Sequence, residues 1–378
     1  MEMSDRLMSV STDPQKISSL INQWVRSEVR SLSAYHVPDS GDMVKLDAME
    51  NPYGWPEAIS STWLESLKHA EINRYPDPGA GELKKVLKQA FALPDNCDIL
   101  LGNGSDELIQ MLAMVLAGPG RVVMSVEPSF VMYRMIALMV GMEYVGVPLN
   151  SDFSIDSEAT LAAIKKHNPA VIYLAYPNNP TGNLYSEDAI RSIIDAAQGL
   201  VVIDEAYYAF AGTSLVDWLA EYNNLLVMRT VSKMGMAGLR LGYLIGDCQW
   251  LEQIDKMRLP YNVGVLTQMT AKIALEHIDA FNQQTQQICQ DRETLYSALK
   301  AINQIDVYES CANFILFRLR GSSSREVFEA LKLKGVLVKN LGDNEGPLHA
   351  CLRVTVGTAD ENQKFLVALK QILDDIEN

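Results

Sequence analysis

Cysteine, histidine and positive charge are all scarce in this chain, and no apolar run is long. Five cysteines (Cys97, Cys248, Cys289, Cys311 and Cys351) are spread over 378 residues, an odd number with no Cys-x-x-Cys pair. That pattern argues against a disulfide framework or a zinc knuckle and for a reducing, cytoplasmic compartment. Five histidines show no metal-type clustering, so no metal is expected. Lys plus Arg number 32 against 47 Asp plus Glu, a formal net charge of -15. Such a surface repels phosphate backbones and anionic lipid, so neither a nucleic acid nor a membrane is an expected partner. Any anion bound here must be gripped by a local, enclosed positive site. The longest apolar stretches, such as Met111–Ala117, are too short to span a bilayer. Met1–Asp13 lacks the basic start and apolar run of a signal peptide.

What is present is an ordinary globular balance, 48% hydrophobic and 21% charged. It is enough for a large core, and the length predicts two or three domains. Ile17–Leu32 reads as an amphipathic helix with Ile17, Leu20, Ile21, Trp24 and Val25 on one side. From about Asp98, short continuous Val/Ile/Leu runs alternate with helical stretches. Strands are expected at 99–101, 121–126, 143–147, 170–175, 200–203, 225–229 and 241–245. Runs apolar on both faces mark a mostly parallel sheet sandwiched by helices, hence an α/β fold. After Trp250 the pattern changes: a long polar helix at 265–290 leads into a smaller α+β unit. The expected division is a helix and arm over 1–45, packed on the small domain or a partner subunit; a large domain over 46–265; and a small one over 266–378.

Ligands of an open parallel sheet sit at the carboxyl ends of its strands, so the residues just past each strand deserve inspection. There stand Gly102-Asn103-Gly104-Ser105-Asp106-Glu107, Glu127-Pro128-Ser129-Phe130, Asn178-Asn179-Pro180-Thr181-Gly182, Asp204-Glu205-Ala206-Tyr207 and Ser232-Lys233. The glycine turn is no dinucleotide fingerprint, because Glu107 occupies the third glycine position. It reads as a tight turn with Ser105 as N-cap, although the helix behind it can hold a phosphate. Asp204 is either a wet strand-end cap or a buried carboxylate in need of a protonated partner. Lys233 is either one more solvated lysine or, if enclosed, an amine of lowered pKa suited to Schiff-base chemistry. Arg240 can reach a phosphate or form a surface ion pair. Singly, each bland reading stands; jointly, an aspartate, a lysine, an arginine and a helix start at one sheet edge favour a site.

These ordered motifs, with Gly238-Leu239-Arg240 behind the lysine, resemble the fold-type-I aminotransferases, which use pyridoxal 5'-phosphate. Asp47-Ala48-Met49-Glu50-Asn51-Pro52-Tyr53, Arg74-Tyr75-Pro76-Asp77 and Leu352-Arg353-Val354-Thr355-Val356-Gly357-Thr358 narrow the resemblance to the histidinol-phosphate aminotransferase family, from about Tyr35 onward. The resemblance implies that Lys233 carries the cofactor as a Schiff base and then serves as general base and acid. It implies that Asp204 pairs with the pyridinium nitrogen, that Tyr207 and Asn179 bond the ring hydroxyl, and that Phe130, where the family often has tyrosine, stacks on the ring. Ser105, Asp106, Ser232 and Arg240 would hold the cofactor phosphate, with Tyr53 reaching it from the other subunit of a homodimer. Tyr35, Asn51, Lys339 and Arg353 would face the substrate, Lys339 standing where the family often has arginine. A guanidinium can grip either the carboxylate of glutamate or the phosphate of histidinol phosphate. The same scaffold would also serve an aromatic or general aminotransferase or a threonine-phosphate decarboxylase.

Overall fold

The computed structural model describes residues 13–33, 38–343 and 345–377. Its strands in chain order are β1 Val44–Lys45, β2 Asp98–Gly102, β3 Val122–Glu127, β4 Glu143–Pro148, β5 Val171–Ala175, β6 Leu200–Asp204, β7 Leu225–Thr230, β8 Gly242–Gly246, β9 Ile305–Val307, β10 Phe314–Leu319, β11 Val336–Leu337, β12 Lys339–Asn340 and β13 Cys351–Thr355. Seven of them form one sheet in the order β2-β8-β7-β6-β5-β3-β4. β5, β6 and β7 are buried along their whole length, as continuous apolar runs require.

One strand departs from the parallel pattern. β8 runs antiparallel to both neighbours, with Gly242 opposite Gly102 on one side and Thr230 on the other. Its start therefore lies at the edge where the parallel strands end. That reversal brings Arg240, which precedes a strand, beside residues that follow strands. Gly242 also has no room for a side chain: a Cβ there would come within 2.7 Å of Ser105 N and of the Gly104 carbonyl carbon.

Helices cover both faces. Ser105–Leu116, Met132–Val140 and Cys248–Asp255 pack on one side, around Leu108, Ile136, Tyr173 and Met228. On the other lie Gly81–Ala90, Ser157–His167, Glu187–Ala196 and Val265–Glu276, around Leu87, Ile164, Ile190 and Val227. The second core belongs to the antiparallel sheet β12-β13-β10-β9 and the helices Ile278–Lys300, Ser324–Leu333 and Ala359–Glu377. The early strand β1 pairs in parallel with β11, and Leu46 and Met49 are buried in this second core.

Several elements differ in detail from the sequence reading. The expected helix over 265–290 breaks at His277, whose backbone leaves the helical region, and a new helix runs on to Lys300. The leading helix is two pieces, Pro14–Trp24 and Ser27–Arg30, interrupted where Val25 and Arg26 are extended. Ser105 is the first helical residue rather than the N-cap; Gly104, at φ 86°, takes the cap position that an L side chain would strain.

A buried ion pair braces the site edge. Glu205, fully buried, accepts from Arg229 Nε at 2.9 Å, from Leu215 N at 2.6 Å and from Ser214 Oγ. Arg229 also donates to Ser214 Oγ and lies 4.1 Å over the Tyr208 ring. Every charge is partnered, so the end of β6 and the end of β7 are locked together. Replacing Arg229 by Met leaves Glu205 buried without a cation and should lower stability by about 3–5 kcal/mol. Urea denaturation should show this, and Glu205→Gln added to that variant should restore part of the loss; an unchanged midpoint for Arg229→Met would refute the bracing role.

Candidate active site

The strand ends enclose a cleft with an open volume of ≈ 570 Å³, lined by Met49, Ser105, Asp106, Phe130, Ala175, Asn179, Asp204, Ala206, Tyr207, Thr230, Ser232, Lys233 and Arg240. Nine of the expected site residues thus share one cavity. Asp204 is no wet strand cap: it is 4% exposed, and burial pushes its carboxyl up to about 6. Two donors oppose that shift, Tyr133 Oη at 2.7 Å on Oδ2 and Ala206 N at 3.1 Å on Oδ1. Asp106 and Glu205 raise it slightly further.

Lys233 follows β7 in a single tight turn, Ser232–Met234, ended by Gly235 at φ 101°. Its amine donates to the Ala48 carbonyl at 3.2 Å and lies 5.7 Å from the centre of the Tyr207 ring. Desolvation, with Arg353 and Arg240 nearby, lowers its pKa to about 8. The lysine is therefore not one more solvated side chain.

At the other end, Arg240 adopts φ 48° and its Nη2 lies 3.2 Å from Asp106 Oδ2. The second oxygen of Asp106 is buried and has no hydrogen-bond partner. The Thr230 and Ser232 hydroxyls are 2.9 Å apart beside the start of the helix Ser105–Leu116. A Cβ on Gly104 would fall 2.7 Å from Arg240 Nη2, so glycine keeps this corner open.

Arg353 comes from β13 in the smaller sheet. It donates to Asn179 Oδ1 at 2.5 Å and to the Asp47 carbonyl at 2.9 Å. Because a guanidinium only donates, the Asn179 oxygen must face Arg353, which leaves its amide N–H for the Tyr207 oxygen at 3.1 Å. Lys339 on β12 stands opposite Arg353 in the antiparallel register, on the same face of that sheet.

Two expected residues, Asn51 and Tyr53, lie elsewhere. Asn51 bonds Gln284 and the Tyr53 backbone. Tyr53 donates to Asp291 Oδ2 at 2.9 Å, and burial and that carboxylate push its phenol up to about 12. Neither lines the cleft of its own chain. Tyr35 lies outside the described residues. Sequence reasoning missed Met49, Thr230 and, above all, Tyr133. Thr230 ends the strand that carries Lys233 and could have been found there; Met49 and Tyr133 carry no sequence signal of their own. Among the described residues no His/Cys/Asp/Glu group is arranged to hold a metal, and no helix is long and apolar enough to cross a membrane.

This strand-end cleft, with its buried acid and desolvated amine, accompanies a match of residues 41–369 to the family described as aminotransferase class I and II. The chain belongs to that family and, within it, to the histidinol-phosphate aminotransferases. It is 52% identical to histidinol-phosphate aminotransferase 2 of Nitrosococcus oceani over 93% of this chain and 97% of that protein. The solved histidinol-phosphate aminotransferase of Clostridium acetobutylicum superposes with a TM-score of 0.80 at 25% identity, covering 88% of this chain and 99% of that one. The Sinorhizobium meliloti enzyme of the same name, solved with pyridoxal-5'-phosphate, gives 0.83 at 22% identity over 93% and 98%.

Labelling of the cofactor-free protein with an amine-acylating reagent, read by peptide mass spectrometry, should show Lys233 reacting with a half-maximum near pH 8. An exposed lysine titrates near ~10.4. Arg353→Met removes a neighbouring cation, so the ammonium form should persist to higher pH and the half-maximum should move up. A Lys233 profile like that of the surface lysines would contradict the desolvated setting.

Proposed function

We infer that this chain moves an amino group between L-histidinol phosphate and 2-oxoglutarate, giving imidazole acetol phosphate and glutamate, as a step of histidine biosynthesis. One observation carries the class of reaction: the Lys233 amine, the Asp204 carboxylate and, linked through Asn179, the Arg353 guanidinium converge on one cleft. The substrate pair follows the names of the relatives.

The cleft fits pyridoxal 5'-phosphate. The corner that Gly104 leaves open, with Ser105, Ser232, Arg240 and the start of a helix, suits a phosphate. Phe130 and Ala206 offer flanks for a flat ring, Tyr207 and Asn179 a hydrogen-bonded pair for its hydroxyl, and Asp204 an anion for its nitrogen. When bound, this group supplies an aldehyde that condenses with amines and a ring that accepts the electron pair of the substrate's α-carbon.

The protein's own part is positioning and proton movement. Lys233 Nζ would hold the cofactor's aldehyde carbon and, as a free amine, would serve as general base for the substrate's α-proton. A pKa near 8 gives it more neutral amine at ordinary pH than an exposed lysine has. Asp204, ionised above about 6, keeps a proton on the facing nitrogen. Arg353 binds the substrate anion, carboxylate or phosphate, while holding Asn179 in place. Lys339 adds a second positive charge on the same face.

A homodimer with Tyr53 donated across its interface completes the reading. In its support, Tyr53 turns to Asp291 instead of its own cleft. Tyr75 and Tyr261 also stack at 4.4 Å on a face where Ile72 and Leu259 are exposed. We assign 46–265, with the helix Val265–Glu276 that packs on its sheet, to a large cofactor-binding domain and the rest of 266–378 to a small one. We place the enzyme in the cytoplasm, in accord with five free cysteines.

Half-reactions test the assignment. Glutamate alone and histidinol phosphate alone should each change the visible spectrum of the loaded enzyme. Silence with both would exclude amino transfer, and turnover of phenylalanine with no response to histidinol phosphate would select an aromatic aminotransferase. Lys233→Ala should abolish borohydride trapping of the cofactor on the protein. Arg353→Met should raise KM for both substrates roughly ten- to a hundredfold, the worth of a charged hydrogen bond, with a smaller loss of cofactor affinity through Asn179.

A further inference from the structure

We propose that Tyr133 is a positioning residue for amino transfer: its buried hydroxyl holds the Asp204 carboxylate ionised and turned toward the cofactor's ring nitrogen. The proposal rests on the assignment of Asp204 to that nitrogen.

Tyr133 lies on the helix Met132–Val140, three residues after Phe130, and is 1% exposed. Its Oη donates to Asp204 Oδ2 at 2.7 Å. Two aromatic contacts fix the ring. It stacks on Tyr173 at 4.7 Å with planes 6° apart, and meets Phe130 edge-on at 5.5 Å and 85°. A ring clamped in this way cannot swing its hydroxyl to another acceptor. Phe130 faces the cleft, so the same short stretch that would set the ring face also sets the acid at the ring's far edge.

The chemistry needs such a donor. Asp204 is buried at the end of an apolar strand, and burial alone would leave it protonated and useless as an anion. The groups facing it are Tyr133, Tyr173, the Ala206 N–H, Asp106 and Glu205. Both acids oppose its ionisation, and Glu205 is already tied to Arg229. Among these neighbours only the Ala206 N–H and the Tyr133 O–H stabilise the carboxylate. The phenol is held well above its usual pKa by burial and by Asp204 itself, so it stays a donor. It does not touch substrate; it acts through Asp204.

Tyr133→Phe keeps the stacked ring and deletes only the hydroxyl. Asp204→Ala is the reference arm, and melting of both cofactor-free proteins checks folding. Three quantities are read: cofactor affinity by equilibrium dialysis, kcat and KM of the glutamate half-reaction, and the acid limb of its pH profile. In Tyr133→Phe, kcat should fall roughly tenfold or more with KM within about twofold, and affinity should weaken. The acid limb should move up by about one pH unit, because the charged form of Asp204 has lost a donor. An unmoved acid limb and kcat in Tyr133→Phe, with Asp204→Ala impaired, would overturn the proposal alone and leave Tyr133 a packing residue. Unchanged affinity and kcat in Asp204→Ala would overturn the nitrogen assignment, and the proposal with it.

Discussion

Desolvation of charge at a sheet edge is the constraint from which the site follows. Asp204 ends a strand whose other residues are Leu, Val, Val and Ile, and it is buried with them. Lys233 stands in the turn after the neighbouring strand and is drawn out of water beside the segment 44–49. Water would hold both groups in their ordinary charge states. The cleft pushes each toward neutrality, to about 6 and about 8, and thereby makes their charge depend on whatever occupies the space between them. A carboxylate and an amine so poised suit a partner with a basic nitrogen at one end and an electrophilic carbon at the other.

The fold meets this constraint through connectivity. A purely parallel sheet would bring only strand ends to the site edge. The reversed strand β8 adds a strand beginning, and with it Arg240 and the tight Gly242–Gly104 contact. The two central strands are tied behind the site by Glu205 and Arg229, whose charges are matched so fully that burial does not leave either unsatisfied. Tyr133 does similar work for Asp204 from the flanking helix.

The smaller sheet reaches the same cleft through Arg353 and, against the Tyr207 ring, Phe314. Arg353 donates to Asn179, and Asn179 donates to Tyr207, so a residue of the second core is in register with the motif loops of the first. The segment 44–49 makes another link: β1 pairs with β11, Leu46 and Met49 sit in the second core, and the Ala48 carbonyl accepts from Lys233. Relative movement of the two sheets would therefore alter the surroundings of Lys233 and Arg353 together.

Much of this was legible in the chain. The apolar runs of β5, β6 and β7 announce a sheet buried on both faces, and the polar residues just past them must then lie along one edge. Local periodicity and turn chemistry were enough to set Lys233, Asp204 and Arg240 together at one sheet edge, whereas Asn179 stood out only through the family resemblance. The break at His277, the reversed direction of β8 and the N-cap at Gly104 were not legible, since each is decided by what packs alongside. Tyr133 reads as an ordinary core aromatic until its hydroxyl is seen 2.7 Å from Asp204. Asn51 and Tyr53, neighbours of well-placed residues in sequence, are drawn instead to Gln284 and Asp291 on a distant helix. Sequence by itself determined which residue types stand at the strand ends, because hydrophobic burial acts over a few residues. Only the tertiary structure decided their protonation and their partners, because desolvation and hydrogen bonding depend also on groups far along the chain, as Tyr133 is 71 positions from Asp204.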